Sequence, residues 1–148
     1  MPNSSSVVKT YFNQRQEPMN ERPRILIADP DTRLLETYER YFNQDDWSLS
    51  TAVNGLDCMA KLFALEPDVL VLEPEMPWGS GSGVLARMRE DPRVPSVSVI
   101  VLTMGRDKAE LSRVSNFALE EILIKPVSVE ILGSRIRAVV GKMAEEVL

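Results

Sequence analysis

Four short polar segments follow apolar runs in this chain. Between them they carry carboxylates, a hydroxyl and an ammonium. Asp29-Pro30-Asp31 follows the run at 25–28, Glu73 the run at 69–72, Thr103-Met104 the run at 97–102, and Lys125-Pro126 the run at 122–124. Gathered in one crevice, such groups make a charged site in which an ammonium faces carboxylates and a hydroxyl donates or accepts. Singly, each has an ordinary structural reading. Asp29 is a helix N-cap ahead of Pro30, Glu73 a solvated loop residue, Thr103 a strand end and Lys125 a surface lysine. Three functional types at four run ends favour the joint reading. Other chemistries drop out. The chain has no histidine, which removes histidine triads, imidazole metal ligands and an internal phosphohistidine. The single Cys58 makes no intrachain disulfide or thiolate cluster, and beside Met59 on an apolar helix face it reads as a small core residue.

The elements that must position these residues are legible from periodicity. Short continuous apolar runs at 25–28, 69–72, 97–102 and 122–124 suit strands buried on both faces, and the alternating stretch 47–53 suits one more. Between them lie helical spacings. Leu34, Leu35, Tyr38, Tyr41 and Phe42 form one face, and Leu56, Met59, Ala60 and Phe63 another, starting near Asn54-Gly55. Val84, Leu85 and Met88 begin a third helix, a weakly amphipathic fourth is expected over 106–117, and Ile131 to Met143 mark the last. Strand–helix alternation of this kind implies right-handed crossovers, a parallel sheet and helices on both faces. In such open sheets the site lies at the carboxyl ends of the strands, where the four polar segments fall. The glycine-rich stretch 77–83 lacks P-loop or dinucleotide spacing and reads as a flexible loop with Trp78 exposed near the pocket.

The ordered set of fragments resembles the receiver domain of bacterial two-component response regulators, the CheY-like domain, over about residues 24–140. The residues that carry the resemblance are Ile25-Leu26-Ile27-Ala28-Asp29, then Pro67 to Pro77 through Glu73 with Gly81 beyond, then Val99 to Thr103, and Ile124-Lys125-Pro126. The resemblance implies an α/β, flavodoxin-like (βα)5 three-layer sandwich, its five-stranded parallel sheet ordered 2-1-3-4-5. It also implies that a strand-end aspartate accepts a phosphoryl group from a sensor histidine kinase. Two acidic residues after the first strand would hold Mg²⁺, and Thr103 and Lys125 would contact the phosphoryl oxygens.

This sequence departs from that pattern. Glu73 stands at the phosphoacceptor position, and Pro30 takes the second metal-binding acidic position while Asp29 keeps the first. Asp31 is acidic, but the matching family position usually points away from the pocket. Phosphorylation at Glu73 is therefore expected to be very slow or absent, because a positioning error of about 1 Å costs about a hundredfold in a preorganised site. No cofactor is expected, and any Mg²⁺ at Asp29 and Glu73 would be weakly bound. The longer Glu73 side chain could instead pair with Lys125 and hydrogen-bond Thr103, imitating part of a phosphorylated state. Ile122 occupies the family's aromatic-switch position and is expected to pack in the core or on the edge strand. Ala118 and Leu119 replace the usual small pair before the fifth strand.

The expected function is that of a degenerate receiver, not an enzyme, acting by phosphorylation-independent contact with signalling proteins. The contact face would be the fourth helix, fifth strand and last helix, with Lys108, Arg113, Glu120, Glu121, Arg135 and Arg137 as surface candidates. The alternatives are a working receiver phosphorylated at Asp29 or Asp31, a small flavodoxin-like enzyme or cofactor binder, and a structural dimerisation unit; oligomeric state, a homodimer included, is open. At 148 residues with 17 basic and 22 acidic side chains, the chain reads as one acidic domain with formal charge −5, which disfavours direct nucleic-acid binding. Residues 1–22 read as a flexible N-terminal arm bounded by Pro18 and Pro23, with 23–148 as the domain. Within this length no output domain is expected; if these residues are the whole protein the output is a protein contact, and in a longer protein an output domain would lie outside them. No run approaches the about 18 apolar residues a membrane span needs, and no secretory signal opens the chain, so a cytoplasmic setting is expected.

Overall fold

The runs at 25–28, 69–72 and 97–102 become strands because their alternate residues find apolar partners on both sides of one sheet. The run at 122–124, expected to be buried on both faces, instead forms an edge strand in which only Leu123 is buried and Ile122 and Ile124 are exposed. The computed structural model describes residues 22–43, 47–94 and 96–147, so the expected arm lies outside the described residues, Arg22 excepted. Its strands are β1 (Arg24–Ala28), β2 (Ser48–Ala52), β3 (Val69–Leu72), β4 (Ser98–Thr103) and β5 (Glu121–Ile124). All pairs are parallel and the order is β2-β1-β3-β4-β5. This is the order that the resemblance implies. The helices are α1 (Thr32–Phe42), α2 (Gly55–Leu65), α3 (Gly81–Glu90), α4 (Lys108–Val114) and α5 (Val129–Val147).

The period-two alternation of β1 divides the core. Ile25 and Ile27 pack with Leu35, Tyr38 and Phe42 of α1 and with Leu132 and Ile136 of α5. Leu26 and Ala28 face the other way, into a second cluster with Cys58 and Leu62 of α2, Val84 and Leu85 of α3 and Val114 of α4. Helices therefore cover both faces, and all four residues of β3 are buried. Burying each large side chain contributes about 1.5–3 kcal/mol, so these two clusters supply most of the driving force. Phe42 ties α1 to the sheet edge, its ring 6.0 Å from Tyr38 and 5.0 Å from Trp47.

Two expectations need correcting. The fourth helix is shorter than 106–117, because Asp107 caps it at the start by accepting from the Glu110 N–H and the chain turns at Ser115. The glycine-rich stretch is not all loop. Ser80 caps α3, and Gly81, Ser82 and Gly83 form its first turn. Gly81 is needed for close approach, since a Cβ there would sit 2.5 Å from the Pro74 Cα.

Candidate functional site

Backbone hydrogen bonds just past the strand ends set the site. The Asp29 N–H donates to the Ala52 carbonyl at 2.9 Å, Glu73 N–H to Ala28 at 2.9 Å, and Lys125 N–H to Thr103 at 2.8 Å. Each bond carries a parallel ladder one residue beyond its strand. Asp29, Glu73, Thr103 and Lys125 are thereby brought to one edge of the sheet. The first three are buried, with Asp29 only 2% exposed and Glu73 only 5%. Lys125 follows β5 and joins Pro126 through a cis peptide bond.

The Lys125 ammonium stands between the two acids. Its Nζ lies 2.6 Å from Asp29 Oδ2 and 3.0 Å from Glu73 Oε1. Burial lowers the Lys125 pKa, but hydrogen bonding and charge from Asp29, then from Glu73, outweigh it, so the pKa is raised. The ammonium therefore stays charged, as two buried carboxylates require. The remaining oxygens are also engaged. Asp29 Oδ1 accepts from the Asp31 N–H at 2.9 Å, and Glu73 Oε2 from the Glu75 N–H at 3.1 Å.

The other residues singled out in the sequence lie as follows. Asp31, not Asp29, caps α1, its Oδ1 accepting from the Arg33 and Leu34 N–H groups. Its carboxylate is exposed and turned to the helix. Pro30 is exposed and offers no side-chain oxygen. Thr103 is buried, yet its Oγ1 accepts from the Gly105 N–H at 3.0 Å. The Glu73–Thr103 hydrogen bond that the longer side chain could make is not formed: the Glu73 oxygens meet Lys125 and the Glu75 N–H, while Thr103 Oγ1 meets the Gly105 N–H. Ile122 lies on edge strand β5 opposite Val101 and points outward, 37% exposed, while Leu123 faces the core. Trp78 is 71% exposed in the left-handed region at φ 55°. Cys58 is fully buried, and burial, with help from Asp57 and against Lys61, pushes its thiol up to about 12, which keeps it inert.

The surface candidates are less available than the sequence suggests. Arg113 pairs with Glu110, Arg135 with Glu121, and Glu120 with Lys142. Arg137 leaves the expected face, its guanidinium carbon 5.8 Å from the Trp47 ring centre. Lys108 remains exposed at the start of α4. Exposed apolar residues on that side are Met104, Ile122, Ile124 and Ile131. Two acids escaped sequence reasoning as functional groups. Glu75 accepts from the Arg106 and Asp107 N–H groups, and Glu110 is 3% exposed against Ser82. No local signal marks either, since their partners are 28 to 32 residues away.

The two carboxylates share one ammonium, Pro30 supplies no side-chain oxygen, and no group of three or more His, Cys, Asp or Glu suited to a metal occurs among the described residues. Among those residues no helix is long and apolar enough to cross a membrane.

Comparison with known proteins places this geometry. The response regulator receiver domain model matches residues 25–137. The DNA-binding dual master transcriptional regulator RpaA of Synechocystis is 29% identical over 121 residues, covering 81% of this chain and 50% of that protein. The transcriptional regulatory protein AfsQ1 of Streptomyces coelicolor is 27% identical over 124 residues, covering 84% and 54%. The chain thus spans about half the length of these curated relatives. Among solved structures, a response regulator signal receiver domain from Bermanella marisrubri is 30% identical with TM-score 0.72, covering 81% of this chain and 99% of that one. A CheY-like receiver domain protein from Methanospirillum hungatei has TM-score 0.75 at 20% identity, covering 85% and 99%, and shows the fold alone. With the strand order, the strand-end carboxylates, Thr103 and Lys125 in register, the chain belongs to the response regulator receiver domain family of two-component signalling.

Proposed function

We propose that this receiver domain is a pseudo-receiver, signalling by protein contact without accepting a phosphoryl group. The supporting observation is the Lys125 ammonium, held 3.0 Å from Glu73 and 2.6 Å from Asp29. Here a resident carboxylate, one methylene longer than an aspartate, already occupies this lysine. Glu73 supplies the charge half of a phosphorylated site. The hydroxyl half stays disengaged, since Thr103 Oγ1 is bound to the Gly105 N–H. Mg²⁺ binding is weak or absent on this reading, because a cation would have to displace an ammonium from both carboxylates.

The partner is a signalling protein, a sensor histidine kinase among them. It would meet the face of α4, β5 and α5, where Met104, Ile122 and Ile124 are exposed. The test is titration with beryllofluoride and Mg²⁺, followed by amide NMR and tryptophan fluorescence. No saturable change is expected. Saturable binding at the Glu73 amide overturns the reading. The double variant Glu73→Asp with Pro30→Asp is expected to gain binding, because it restores the acceptor length and a second metal-facing acid.

A further inference from the structure

Glu75 touches two parts of the molecule at once. Its backbone N–H donates to Glu73 Oε2 at 3.1 Å. Its own carboxylate Oε2 accepts from the N–H groups of Arg106 and Asp107 at 3.2 and 3.3 Å. These two amides close the β4–α4 loop, and Asp107 is the N-cap of α4. One residue therefore joins the buried ion cluster to the cap of a helix 32 positions away in sequence.

The loop is shaped to be held there. Gly105 takes φ +70°, a conformation that side chains other than glycine rarely adopt, and its N–H goes to Thr103 Oγ1 at 3.0 Å. Successive N–H groups of residues 105, 106 and 107 are thus all satisfied by two side chains from neighbouring strand ends. A carboxylate is the natural acceptor at this place, because the positive end of a helix favours negative charge. α4 has 7 residues, too few to be stable alone, so its position depends on such tertiary anchors. A second anchor lies on its first turn. Glu110 accepts from the Ser82 N–H at 2.7 Å and from Ser82 Oγ at 2.9 Å, fastening α4 to α3.

We propose that Glu75 is a positioning residue that couples the Lys125–Glu73 ion pair to α4, so that the state of the site sets how firmly the β4–α4 loop is held. The coupling is a path of direct contacts: Lys125 to the Glu73 carboxylate, that carboxylate to the Glu75 N–H, and the Glu75 carboxylate to the Arg106 and Asp107 amides. When Glu73 loses its grip on the Glu75 N–H, the 74–76 segment loses an anchor and the Glu75 carboxylate loses its aim. The contacts exist whether Glu73 is a permanent acid or an acceptor, so this inference does not depend on the pseudo-receiver reading.

Amide hydrogen exchange resolved by NMR on the whole chain tests it. Glu75→Ala is expected to lower protection at Arg106 and Asp107 at least tenfold, while Leu70 and Val71 in β3 keep theirs and report unchanged global stability. Glu75→Gln keeps an acceptor oxygen and is expected to recover part of the protection. Glu73→Ala, which leaves the Asp29–Lys125 pair in place, is expected to lower protection at the same two amides, and to add nothing further in the Glu75→Ala background. Unchanged Arg106 and Asp107 protection in Glu75→Ala overturns the anchor. Unchanged protection there in Glu73→Ala, or full additivity of the two substitutions, overturns the coupling. Should Glu73→Ala fail to fold, Glu73→Leu, which fills the space but likewise offers the Glu75 N–H no acceptor, is read in the same way by the amide shifts of Arg106 and Asp107.

Discussion

Lys125 is bound more closely to Asp29, at 2.6 Å, than to Glu73, at 3.0 Å. Asp29 is also the more buried of the two acids. The ammonium is thus the counter-charge that lets two carboxylates share a nearly water-free strand edge. Truncating it leaves both acids unpaired, and breaking a buried pair from one side costs about 3–5 kcal/mol. Lys125→Met is expected to lose that amount in urea unfolding at pH 7. Glu73→Gln is expected to lose less than Asp29→Asn, because Asp29 and Lys125 remain paired in it. Equal stability of Lys125→Met and the parent would show that the ammonium does not hold the site.

The alkaline limb of stability has two named sources. The Lys125 pKa is raised, so its contribution is fully present below its ordinary value of 10.5 and is lost as pH climbs through the higher folded value. Tyr38 behaves with the same sign. Burial first, then the charges of Asp29 and Asp31, push its pKa from 10.0 to about 12. Its contribution therefore fades between pH 10 and about 12, by up to about 2 kcal/mol. Tyr38→Phe is expected to flatten the fall in unfolding free energy over that window while leaving the Lys125 share. An unchanged pH profile in Tyr38→Phe would contradict this assignment.

Glu110 should matter to stability more than its place in a short surface helix suggests. It takes the N–H and Oγ of Ser82 and the Arg113 guanidinium while itself buried. Glu110→Ala leaves those donors without their acceptor, at about 1–3 kcal/mol. Glu110→Gln retains an acceptor and is expected to cost less. The Arg113 arm is more than half exposed while Glu110 is buried, so Arg113→Ala is expected to cost less than Glu110→Ala in the same denaturation series.

Gly81 is the fourth test. A methyl group there would meet backbone and ring atoms of Pro74, which have no rotamer to give way. Gly81→Ala is expected to cost about 1–3 kcal/mol by overpacking, and to shift the amides of residues 73–76 because the Gly81 N–H is bonded to the Pro74 carbonyl at 2.8 Å. Gly83→Ala, whose Cβ would find only Ser80 Oγ at 3.5 Å, is the tolerated control.

Much of this molecule is legible along the chain. Runs such as 69–72 are continuous because both faces of their strands are covered, and Leu35, Tyr38 and Phe42 keep helical spacing because one stripe is buried. Element ends were harder to read where a cap decided them. Asp107 starts α4 later than apolar spacing suggests, and Ser80 starts α3 inside what reads as a glycine-rich loop. Likewise Asp31 and Asp29 are two carboxylates in one tripeptide, and only the turn between them decides which one caps α1.

By itself the sequence determined the parallel α/β plan and the placing of Asp29, Glu73, Thr103 and Lys125 at strand ends, because hydrophobic period and chain order are local properties. What only the tertiary structure decided is who pairs with whom. Lys125 bridges Asp29 and Glu73 across 96 and 52 residues, Thr103 turns to Gly105 instead of Glu73, and Glu75 reaches the head of α4. Those choices depend on side-chain reach and on competition for a few buried donors and acceptors. Both arise only once the strand ends have been brought to a common edge.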